Sequence, residues 1–112
     1  MDNLDEFNYV NELFDTYGSL LTESQYQMLE QYYIFNLSLS EIAEEFEISR
    51  TAVQDAVKKG IQKCKVYEEK LKLVEKKKTL NNLVDDLDKS NLEKIKEEIR
   101  KVINDGIWII KW

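Results

Sequence analysis

The chain has 112 residues, about a third of them charged, and a net charge of −6, with no His, no Pro, three Gly and one Cys. That length suits one domain with a single hydrophobic core. Missing His removes the commonest general base and metal ligand, and a lone Cys64 cannot close an internal disulfide, so the cytoplasm is the expected compartment.

Charge is unevenly placed. Residues 1–56 carry twelve Asp and Glu against a single Arg, a net of −11; residues 57–112 are net +5. A polarised chain of this kind points to a polyanion site on its basic side. Neither a membrane span nor a signal peptide is readable, so no membrane insertion is expected.

Leu4, Phe7, Val10, Leu13, Phe14 and Tyr17 recur at three- and four-residue steps, predicting a helix over 4–17 that Gly18 ends. Thr22 with Gln25 makes a capping box and opens a helix over 23–35, with Tyr26, Leu29, Tyr32 and Tyr33 as its apolar ridge and Asn36 as a left-handed cap. Ser38 with Glu41 makes a second box and starts a helix over 39–46.

Residues 38–63 organise the rest. Ile42, Ala43 and Phe46 share one face; Glu47, Ile48 and Ser49 break the pattern; Ser49 caps a second helix that buries Val53, Ala56 and Val57. This is the spacing of a helix-turn-helix. Ala43 permits a close crossing, Ile48 is expected to plug the turn, and Val53 packs back on Ile42. The turn needs a positive φ that Gly usually supplies, so Glu47 must adopt it at some strain. The second helix turns Arg50, Thr51, Gln54, Asp55 and Lys58 outward, where a major groove would lie.

The apolar stripe from Val53 continues through Gly60, Cys64 and Tyr67 to Leu71 and Val74, predicting one long helix over 50–75, straight or kinked near Gly60. Lys58, Lys65 and Lys72, seven apart, form a ladder on another edge. Val66 and Leu73 fall off the stripe and suit a partner surface. Helices over 79–87 and 91–104 follow, the latter opened by a Ser90–Glu93 box. The chain ends in IWIIKW, whose Ile107, Trp108, Ile109, Ile110 and Trp112 must dock on the chain's own core or on a second copy.

These elements predict an all-α fold: a helix-turn-helix head over 1–63 and a C-terminal helical extension over 64–112, packed as a single compact domain overall. No phosphate-cradling Gly-rich loop, metal-ligand spacing or nucleophile with a base is readable, so no enzyme, cofactor or metal is expected.

Residues 22–63 with Leu21 before them, carrying the opening L-T-x-x-Q, then S-L-x-E-I-A-E-E-F and S-R-x-x-V, resemble region four of bacterial sigma factors. The start N-E-L-F-D-x-Y-x-x-L-L-T-E-x-Q, the pair Tyr32-Tyr33, Leu39 to Phe46, Ser49-Arg50, Ala52-Val53 and Tyr67 to Leu71 resemble the YlxM family more closely. These are small bacterial helix-turn-helix proteins encoded beside signal recognition particle genes. Gln54 stands where that family often has Tyr, and Glu47 where it has Gly.

The resemblance implies a DNA-binding regulator tied to the signal recognition particle pathway. Arg50, Lys58, Lys59 and Lys65 would meet phosphates, and Thr51 and Gln54 base edges. Structured RNA is the alternative ligand. A protein adaptor is the alternative class: the helix-turn-helix serves as scaffold, and the acidic head or the IWIIKW tail binds a partner such as a translocation component; components of the signal recognition particle are further candidate partners. A homodimer held through Val66, Leu73, Ile107, Trp108, Ile110 and Trp112 would set two recognition helices side by side.

Overall fold

The computed structural model describes residues 2–89 and 92–104. Among them are six α-helices and no strand: α1 Asp2–Tyr17, α2 Glu23–Leu29, α3 Leu39–Phe46, α4 Arg50–Leu71, α5 Leu73–Asp85 and α6 Leu92–Asn104. The all-α helix-turn-helix fold is as expected. The chain divides into two compact units, Met1–Tyr67 and Glu68–Trp112.

In the first unit the helix starts follow from their caps. Thr22 Oγ1 accepts from Gln25 N while Gln25 Oε1 accepts from Thr22 N, both at 3.2 Å. Ser38 and Glu41 exchange the same two bonds at 3.1 and 2.8 Å. Ser49 Oγ accepts from Ala52 N at 3.0 Å and so opens α4. Each side chain satisfies a donor that the first helical turn leaves without a partner.

The core joins α1 to the helix-turn-helix. Phe14, Met28, Leu29, Ile42, Ala43, Val53 and Val57 form one buried cluster, with Ile42 and Val53 wholly inaccessible. Gly60 lets α4 lie close to α2: a Cβ there would stand 2.8 Å from Leu29 Cδ1. The helix runs unbroken through Gly60, from Arg50 to Leu71.

Four expectations are corrected. The helix over 23–35 is two segments. Past Leu29 the chain takes a π turn over Glu30–Ile34, closed by Phe35 N donating to Glu30 O at 3.0 Å. The long helix over 50–75 ends at Leu71, because Lys72 adopts a left-handed conformation (φ 55°, ψ 35°) and α5 begins at Leu73. The helix placed at 79–87 is the continuation of α5, which runs to Asp85 before a 3-10 turn over Asp86–Lys89. Leu4, assigned to the apolar face of α1, is 68% exposed.

In the second unit, Glu68 bridges the break. Its carboxylate accepts from Val74 N at 3.0 Å and from Glu75 N at 3.1 Å, which caps α5 from the turn before it. α5 and α6 pack together, with Val74, Ile95 and Val102 buried. The Ser90 half of the third capping box, and Ile107, Trp108, Ile109, Ile110 and Trp112, lie outside the described residues.

Candidate nucleic-acid interface

Phe46 ends α3 and Glu47 turns the chain, at φ 56° and ψ 44°. Ile48 N donates to Ala43 O at 3.0 Å and Glu47 N to Glu44 O at 3.3 Å. This pair of bonds is a Schellman closure, normally built on Gly. Glu47 therefore does adopt the positive φ the turn requires. Ile48 does not plug the gap: it is 41% exposed and stands outside the buried cluster, because the core between the helices is already filled by Ile42, Ala43, Val53 and Val57.

Arg50, Thr51, Gln54, Asp55, Lys58 and Lys59 are all exposed on α4. At 100° per residue Thr51, Gln54, Lys58 and Lys65 lie within about 60° of one another, so they form a row along the helix. Thr51, Gln54, Asp55 and Lys58 line one shallow depression. Beside it, sharing Gln54 and Lys58, runs a groove of about 290 Å3 walled by Tyr32, Tyr33 and Leu39.

The cations differ in what surrounds them. Lys59 is paired with Asp55 at 3.1 Å, one helical turn back. Lys65 stands 3.6 Å from Glu6 of α1. Both pairs are well exposed and so contribute little to stability. The ladder of Lys58, Lys65 and Lys72 loses its last rung, because α4 stops before Lys72. Val66 is 40% exposed and Leu73 is half-buried.

The aromatic wall was not assigned to a site from the sequence. Tyr32 and Tyr33 meet edge-on at 5.0 Å, and the Phe7 ring lies tilted against Tyr33 at 5.0 Å. Burial pushes the Tyr33 hydroxyl above its ordinary pKa, with neighbouring Tyr32 and Glu6 adding to the rise. Its signal in the sequence is the doubled Tyr, which at helical spacing reads as core before it reads as a site. Cys64 is buried, and desolvation raises its thiol against a smaller opposing effect from Lys63, so it stays protonated and unreactive. Among the described residues no group of His, Cys, Asp and Glu could hold a metal ion, and no helix is long and apolar enough to cross a membrane.

Two crossing helices joined by a Schellman turn, with a polar and basic face on the second, define a helix-turn-helix protein. The chain belongs to the UPF0122 family, whose description reads "Putative helix-turn-helix protein, YlxM / p13 like" and whose model matches residues 4–104. A UPF0122 protein of Fusobacterium nucleatum is 42% identical over 100 residues, covering 86% of this chain and 97% of its own length. A UPF0122 protein of Bacillus cereus strain AH187 is 42% identical over 102 residues, covering 89% and 93%. One of Bacillus thuringiensis subsp. konkukian matches to the same extent.

Proposed function

We propose that this protein is a nucleic-acid-binding regulator that reads duplex DNA with the outward face of α4. The observation that carries the reading is the joint exposure of Arg50, Thr51, Gln54 and Lys58 at the start of the helix that follows the turn. Those early positions are the ones a recognition helix brings to base edges. Arg50 and Lys58 take phosphates. Thr51 and Gln54 face bases, and Gln suits a bidentate contact to adenine. Lys59 and Lys65 add to the interface by exchanging their present carboxylate partners for phosphates.

Asp55 and the acidic α3 face oppose this attraction, so binding is modest and falls steeply with salt. Structured RNA is the alternative ligand of the same surface. A tie to the signal recognition particle pathway rests on the gene neighbourhood of the YlxM family. Binding to duplex DNA and to structured RNA, measured side by side across a salt series, tests the proposal. The pair Lys58→Glu and Lys59→Glu should remove binding with little change in stability, each lost phosphate contact flattening the duplex-DNA salt slope by about 0.9. Binding that persists with the same slope would move the interface off α4.

A further inference from the structure

A second surface of the first unit has the opposite chemistry. Between α1 and the α2–π segment lies a groove of about 360 Å3. The Phe14 and Tyr26 rings, 4.8 Å apart at their centroids, form its apolar wall. Phe14 is buried, whereas Tyr26 is 38% and Ile34 51% exposed. Asp15 and Glu30 stand in the same lining, and among the described residues neither makes an ion pair.

The π turn shapes this groove. Tyr26, Glu30 and Ile34 are spaced four apart. In a regular α-helix, residues four apart drift about 40° around the axis at each step, since a turn takes 3.6 residues. The wider i→i+5 closure over Glu30–Ile34 takes up more chain per turn and cancels part of that drift. The three side chains therefore stay in one row, apolar, acidic, apolar. Turns of this kind recur at functional sites.

Water solvates Tyr26 and Ile34 poorly, and two unpaired carboxylates beside them repel any polyanion. We infer that this groove docks a basic amphipathic segment of a second protein. One or two of its apolar side chains would lie against Phe14, Tyr26 and Ile34, and its Lys or Arg would reach Asp15 and Glu30. Charge complementarity selects that occupant: the groove sits in a stretch, residues 1–56, whose net charge is −11. An arginine would gain further from the Tyr26 face. A helix laid in a groove by spaced anchors is the matching recognition mode.

The test uses the full chain and three labelled helical peptides, read by fluorescence anisotropy. One has a Lys face and a Leu face, one Glu in place of Lys, and one Gln in place of Leu. Only the Lys–Leu peptide should bind well. Asp15→Lys with Glu30→Lys should weaken it by about tenfold or more, since like charges placed together cost several kcal/mol. Glu12→Lys with Glu23→Lys makes the same change in net charge outside the groove and should have much less effect. Ile34→Ser, at an exposed position, should weaken binding with the charges untouched, and Arg50→Ala should leave it unchanged. Equal binding of the Glu–Leu or Lys–Gln peptide, equal loss in both double variants, or no loss in Ile34→Ser would overturn the inference.

Discussion

Glu47 holds a backbone conformation that costs an L-residue with a Cβ about 1–2 kcal/mol. Asn36 at φ 61° and Lys72 at φ 55° share it, and of the three only Asn has a short amide that tolerates the region well. Nothing offsets the cost locally at Glu47, whose side chain is exposed and makes no ion pair among the described residues. Glu47→Gly should therefore stabilise the first unit by about 1 kcal/mol, the greater entropy Gly loses on folding taking back part of the gain. Thermal unfolding should show the midpoint rising by roughly 4–8 °C, the shift expected per kcal/mol for a unit of this size. An unchanged or lower midpoint would mean that the turn is not strained at this residue.

Among the elements, α4 is the one on which both packing and the proposed contacts depend, and Gly60 sets its distance from α2. Gly60→Val should destabilise the first unit by about 1–3 kcal/mol, because a Cβ and its two methyl groups would enter space that Leu29 fills. Urea unfolding of the two proteins compares them directly, and equal midpoints would show that α2 and α4 do not pack at this point. The elements also show what the sequence could convey. Starts were legible because a cap is local: Thr22 with Gln25, Ser38 with Glu41, and Ser49 each announce themselves within three residues. The two interruptions were not. Residues 66–76 contain neither Gly nor Pro, and the break at Lys72 is held by a carboxylate four residues earlier bonding to amides beyond it. The π turn likewise lies where Tyr33 packs on Phe7, a contact between distant parts of the chain. For the same reason the row on α4 was readable from spacing alone, while the two grooves walled by the π turn were not.

For the whole molecule, the proposal concerns how many copies act together. We propose the homodimer expected from the sequence: Val66 is exposed and open to a partner, while half-buried Leu73 offers less than its sequence position suggested. Sedimentation at micromolar concentration should show a dimer that weakens when Val66 is replaced by Lys. A clean monomer would defeat it, and a dimer that survives removal of residues 107–112 would exclude the tail from the interface. The single Cys64 has a different bearing on the molecule. It is 1% exposed, on the buried side of α4, and its thiol is held in the protonated form. An alkylating reagent reaches such a sulfur only in the moments when the surrounding helices part. The chain thus carries its own clock: the rate at which native molecules gain one adduct counts the openings of the first unit. A nucleic acid or peptide bound to the closed form would slow that clock by the fraction of molecules it occupies, wherever the opening that frees the sulfur also breaks the bound surface.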